Sequence, residues 1–91
     1  MKICRVIGHV WATKKEERLE GLKLMVVQED EPGKSNKEVF VAADTVCAGI
    51  GDQIIVVSGS TARKVFGRDD MPVDEAIVAI IDNLEIGQEA K

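Results

Sequence analysis

Tyrosine is absent from this 91-residue sequence, and Trp11, Phe40 and Phe66 are its only aromatic residues. Proteins that hold single-stranded nucleic acid stack bases on aromatic rings along a basic groove, so this chain lacks half of that surface. The other half is lacking too: 12 Lys and Arg stand against 16 Asp and Glu, and beyond residue 23 there are six basic residues against thirteen acids. A phosphate-tracking face needs clustered positive charge, and only residues 1–23, with six bases and three acids, lean that way. Long apolar runs are missing as well. No stretch approaches the roughly 18 residues of a membrane helix, and the N-terminus alternates like a strand instead of presenting a basic segment and an apolar core. The expectation is a cytoplasmic protein without nucleic-acid or membrane partners.

Histidine occurs once and cysteine twice. Cys4 and Cys47 have no CxxC spacing and read as reduced, buried thiols. His9 lies five residues from Cys4, an odd separation that sends the two to opposite faces of one strand, so neither a zinc site nor a catalytic triad assembles from them. Gly49-x-Gly51 precedes a strand, whereas a dinucleotide fingerprint opens a helix. The run from Gly59 through Ser60, Thr61, Ala62 and Arg63 to Lys64 has the placement of a phosphate loop, but Arg63 stands where the second glycine is required. Asp69, Asp70, Asp74 and Glu75 surround Pro72 and read as a solvated turn. No catalytic, metal or cofactor constellation emerges.

What the sequence does have is apolar residues at period two. Across residues 2–12, Cys4, Val6, Gly8, Val10 and Ala12 form a core face, and Ile3, Arg5, Ile7, His9 and Trp11 form the other. Large apolar side chains on a face that should meet water mark a strand covered by another subunit. Over residues 22–28, Leu22, Leu24 and Val26 face one side while Met25 and Val27 face the other. Ile3, Ile7, Trp11, Met25 and Val27 are accordingly expected at a subunit interface. Further strands are expected over 38–42 and 53–58. Residues 61–66 read as one or two helical turns capped by the hydroxyl of Ser60 or Thr61. In residues 74–84 the spacing of Ile77, Ile80, Ile81 and Leu84 fits a helix, but the β-branched density of 77–81 favours a strand. The reading is a mainly β fold, a five-stranded OB-like antiparallel β-barrel with one short helix between strands 4 and 5.

Five segments occur in a telling order: MKICRVIGHVWATxK at 1–15, LxGxKLMVV at 19–27, VAADTVCAGIGD at 41–52, VxGSTAR at 57–63 and PVDEAIVAIID at 72–82. Together they resemble the EutN/CcmL family of bacterial microcompartment vertex proteins, with Cys47 standing where a glycine is common and a short tail after Asp82. The resemblance implies one domain over 1–83 with a tail over 84–91. It implies a homo-pentamer capping the vertices of a polyhedral shell in the cytoplasm beside hexameric shell proteins, with no catalytic residue or cofactor. An OB-fold nucleic-acid-binding module and a small thiol-dependent redox protein resting on Cys4, Cys47 and His9 are the competing readings. In such a ring the small residues Gly59, Ser60 and Thr61 are expected at the rim of a narrow central opening, with Arg63 behind them. The loop 48–51 competes for that place but carries the apolar Ile50. Asp44 and Arg63 are expected as a charge pair, within or between subunits.

Overall fold

The computed structural model of the chain describes residues 1–12, 15–67, 71–84 and 87. The alternating segments form strands β1 (Lys2–His9), β2 (Lys23–Glu29), β3 (Val39–Asp44), β4 (Gln53–Ser58) and β5 (Glu75–Ile80), with a single 3-10 turn at Glu17–Leu19 and one helix, α1 (Gly59–Val65), between β4 and β5. They close into a barrel in the order β1-β2-β3-β5-β4. An odd number of strands cannot alternate direction all the way round a closed ring. One neighbouring pair must therefore be parallel, and it is β3 with β5, joined through Ala43 with Ala76 and Asp44 with Ile77. The expected all-antiparallel barrel is corrected on this point: four seams are antiparallel and the fifth is not.

The interior is filled by one row from each strand. Cys4 and Val6 of β1, Met25 and Val27 of β2, Ala42 of β3, Ile54 and Val56 of β4 and Ile77 of β5 are all at most 1% exposed, with Phe40 and Val46 packed against them. Met25 and Val27 are thus core residues with no surface to offer a neighbour, and Leu24 and Val26 carry the outer face of β2, half-buried. The register shifts between Val6 and Gly8, where β1 bends against β2. The β-branched run of β5 wins over its helical spacing because it zips against β4 through five residue pairs.

Two details at the helix and the thiols also differ from expectation. α1 starts at Gly59, so its cap is Ser58, whose hydroxyl donates to Glu75 Oε2 at 2.6 Å instead of capping the helix. Cys47 is exposed and adopts φ 60°, a left-handed backbone that glycine takes without strain. Burial, assisted by the Glu29 carboxylate, pushes the Cys4 thiol up to about 11. Asp69 and Asp70 of the expected solvated turn lie outside the described residues, and of the tail over 84–91 only Leu84 and Gly87 are described.

Met25→Ala is expected to cost about 2–5 kcal/mol, the penalty of a cavity in a tightly filled interior, seen as a lower urea midpoint with an unchanged slope. A Met25 at an interface would instead leave the folded subunit's stability intact and weaken only assembly.

Candidate functional site

With the interior closed, the surface available for function is the outer wall of the barrel. Strand register assigns its rows. Ile3 pairs with Ile55, which pairs with Ala79, and this outward row crosses β1, β4 and β5. On β2 and β3, Val26 pairs with Val41 and Leu24 with Ala43. Val41 is 48% exposed, Val39 51% and Ile7 44%, and Trp11 reaches 88% just past the end of β1. The two apolar walls lie on opposite sides of the strand order. A cavity of about 510 Å³ marks the first, bordered by Ile3, Ile55, Ala79 and Leu84. One of about 430 Å³ lies on the second, bordered by Leu24, Val41, Pro72 and Val73.

Polar groups hold the loops between the walls. The Asp44 side chain, 1% exposed, accepts from the N–H groups of Val46 at 3.0 Å and Ala48 at 2.8 Å, with the Lys23 ammonium 3.9 Å away. Thr45 donates its hydroxyl to the Ile77 carbonyl at 2.7 Å and so extends the parallel seam. Arg63 pairs with exposed Asp74 at 3.2 Å. Within the chain Asp44 and Arg63 therefore have different partners. At the other end of β1, Arg5 grips Asp30 through Nε at 3.0 Å and Nη2 at 2.9 Å while donating to the Gly51 carbonyl at 2.7 Å, which ties two loops across one strand.

Glu29 closes the inner row of β2 at 5% exposure. Lys34 lies 3.0 Å away, Lys2 3.6 Å, and the Glu38 N–H donates to it at 3.3 Å. The Lys34 ammonium holds the Glu29 carboxyl below its usual range. In the first turn of α1, Ser60 and Thr61 present their side chains to solvent while Ala62 is fully buried against the core. Gly59 sits at φ 65° and donates its N–H to the Asp74 carbonyl at 2.7 Å. Ile50 in the competing loop is 61% exposed. Among the described residues no three His, Cys, Asp or Glu side chains cluster as metal ligands.

A closed barrel with apolar walls on different strands has the build of a self-assembling module, since head-to-tail contact between unlike faces generates rings when the rotation closes. The chain belongs to the EutN/CcmL family: a family profile described as "Ethanolamine utilisation protein EutN/carboxysome" matches residues 1–82. It is 46% identical over 85 residues to the carboxysome shell vertex protein CcmL of Thermosynechococcus vestitus, covering 92% of this chain and 86% of that one. It is 42% identical over 86 residues to the microcompartment shell vertex protein GrpN of Rhodospirillum rubrum, with coverage of 93% and 97%. Among solved structures it is similar to the pentameric shell protein GrpN from Rhodospirillum rubrum, with a TM-score of 0.83, 39% identity and coverage of 96% and 100%. It is also similar to EutN from Escherichia coli, with a TM-score of 0.82, 33% identity and coverage of 96% and 91%.

Sequence reasoning brought Ile3, Ile7 and Trp11 to the outer wall and missed Leu24 and Val26. The available signal was parity: a row of Leu22, Leu24 and Val26 is as apolar as its opposite, and the opposite row ends in Glu29, a charge that looks outward until its two lysines are known.

Asp44→Ala is expected to destabilise the fold by about 2–4 kcal/mol, because it strands two loop amides, and Arg63→Ala by less than about 1 kcal/mol. Urea unfolding of the double variant is expected to give the sum within about 0.5 kcal/mol. Coupling above that, confined to the assembled form, would place the two charges together across subunits.

Glu29 gives the fold an acid dependence. Its folded pKa lies below the ordinary 4.5, so its contribution is complete above that value and is lost as pH falls through the folded pKa. Thermal unfolding of Glu29→Gln is expected to show a flatter decline than the parent below about pH 4.5.

Proposed function

We propose that this chain is a structural, non-enzymatic shell protein of a bacterial microcompartment, a cyclic pentamer that caps the vertices of the polyhedral shell in the cytoplasm, beside hexameric shell proteins. The observation that carries the reading is the pair of apolar walls on opposite sides of one closed barrel, in a chain aligned over nearly its whole length with proteins named as shell vertex proteins. Burying one large apolar side chain is worth roughly 1.5–3 kcal/mol, and in a ring of five each contact acts five times. Ile3, Ile7 and Trp11 take part in the interface, with Leu24 and Val26 in the places expected of Met25 and Val27. Gly59, Ser60 and Thr61 line the central opening. Their small side chains can crowd about an axis, and the outward hydroxyls of Ser60 and Thr61 make that rim polar, with Arg63 one turn behind.

The competing readings find less support. The acid excess disfavours a nucleic-acid module. A buried thiol with a raised pKa is a poor nucleophile, and Cys47 forms no disulfide with it.

Sedimentation at micromolar concentration is expected to show a species five times the 9.9 kDa chain mass. Val26→Asp is expected to shift it toward monomer while the folded barrel persists. A monomer in the unsubstituted protein overturns the ring.

A further inference from the structure

Two outward sites on this chain are each incomplete and carry opposite charge. The first lies where β1 runs out. Val10 stays attached to β2 by donating its N–H to the Leu24 carbonyl at 3.0 Å, and Trp11 then projects with 88% of its surface exposed, its ring 5.7 Å from that of His9. A cavity of about 460 Å³ opens there, bordered by Leu22 and Leu24 and by Lys15 and Lys23, with no carboxylate in its lining. The Lys23 ammonium is already engaged, donating to the Ala48 carbonyl at 3.2 Å beside Asp44. Lys15 forms no ion pair among the described residues.

The second site follows β5. Residues 81–84 border the cavity on the wall of Ile3, Ile55 and Ala79. Leu84 is 40% exposed, and Asp82 is exposed with no ion pair among the described residues. Among the described residues the two cavities share no lining residue, and Lys15 and Asp82 form no ion pair with each other. A basic, indole-edged cavity on one side and an acidic segment ending in an exposed leucine on the other are complementary in sign and in apolar content. Two copies of the chain can bring them together.

We propose that in the ring the segment 82–84 of each copy seats in the Trp11 cavity of the next, Asp82 pairing with Lys15 and Leu84 packing against the indole. The inference rests on the ring reading and adds its register: the wall of β1, β4 and β5 meets the wall of β2 and β3. A tryptophan side chain buries roughly 150–250 Å² when covered, which makes it the natural anchor of such a contact.

The test uses the full chain with Cys47→Gly as background. A chain carrying both Trp11→Cys and Leu84→Cys is expected, on oxidation, to run as a covalent ladder of up to five copies on a non-reducing denaturing gel. Either substitution alone is expected to give no species beyond a dimer. Asp82→Lys or Lys15→Asp alone is expected to raise the concentration for half-assembly at least about tenfold, since like charges then meet at a contact. The double reversal is expected to bring it back, which a simple folding defect would not, and circular dichroism checks that each variant is folded. Rings that form with neither a ladder nor a charge effect overturn the proposal and leave the ring reading intact. An unsubstituted protein that sediments as a monomer overturns the ring reading and the proposal with it.

Discussion

Closing five strands into a barrel forces one parallel seam, and much of this structure follows from managing it. The β3–β5 seam is made by two residue pairs only, Ala43 with Ala76 and Asp44 with Ile77. The residues at and after its end extend it by other means: Thr45 donates both its N–H and its hydroxyl to the Ile77 carbonyl, and the buried Asp44 carboxylate folds the following loop onto itself through Val46 and Ala48. A carboxylate at 1% exposure is tolerable only when its oxygens are occupied, and here two amides and a lysine occupy them. The same loop turns at Cys47, in a backbone region that costs an L residue about 1–3 kcal/mol. That explains why a glycine suits the position.

The closed barrel is also small, and that decides where function can lie. Its interior is filled by one row of buried side chains per strand. Ile3, Ile55, Val26 and Val41 have no room inside and form the outer walls. A monomer of this size gains little from apolar residues facing water, whereas a ring converts them into contact area. Because the walls lie on different strands, a contact of one with the other would be between unlike faces, and the angle between those faces would fix how many copies close a ring. Ion pairs of Arg5 with Asp30 and of Glu29 with Lys34 staple the adjoining loops.

Much of this was legible in the sequence, for definite reasons. β4 was read with its observed limits because Ile54-Ile55-Val56-Val57 is β-branched throughout and bounded by turn formers. β1 was placed by strict alternation, although its end was set too late, since Val10 and Trp11 keep the alternation after the strand has ended. The parallel seam was not read from the sequence, where the barrel was expected to be antiparallel, although five strands closed in a ring require one. β2 resisted for a different reason. Alternation says that two rows exist but not which is inside when both are apolar, and the decision rests on neighbours elsewhere in the chain, among them Lys2, 27 residues before Glu29, and Lys34, five after it, which neutralise that charge. The helix cap was misread because Ser58, Ser60 and Thr61 are chemically alike, and only the position of Glu75 across the seam with β4 settles which hydroxyl is taken.

The distribution of charge then completes the physical picture. Among the described residues many charges are answered within the chain, as with Arg5 and Asp30, Lys34 and Glu29, or Arg63 and Asp74. Pairs satisfied inside a subunit carry no information about a neighbour. Specificity in assembly resides in the charges a subunit leaves unanswered next to apolar surface, because there a wrong partner leaves a desolvated charge alone while the right one supplies its counterpart. Lys15 beside Trp11 and Asp82 beside Leu84 meet both conditions, and they do so on opposite sides of the barrel. A contact built from them is directional, since an interface that matched like face to like face would set lysine against lysine and carboxylate against carboxylate. Apolar walls alone would associate in either sense; in the proposed register Lys15 and Asp82 would select the head-to-tail sense, which closes a ring when the rotation allows.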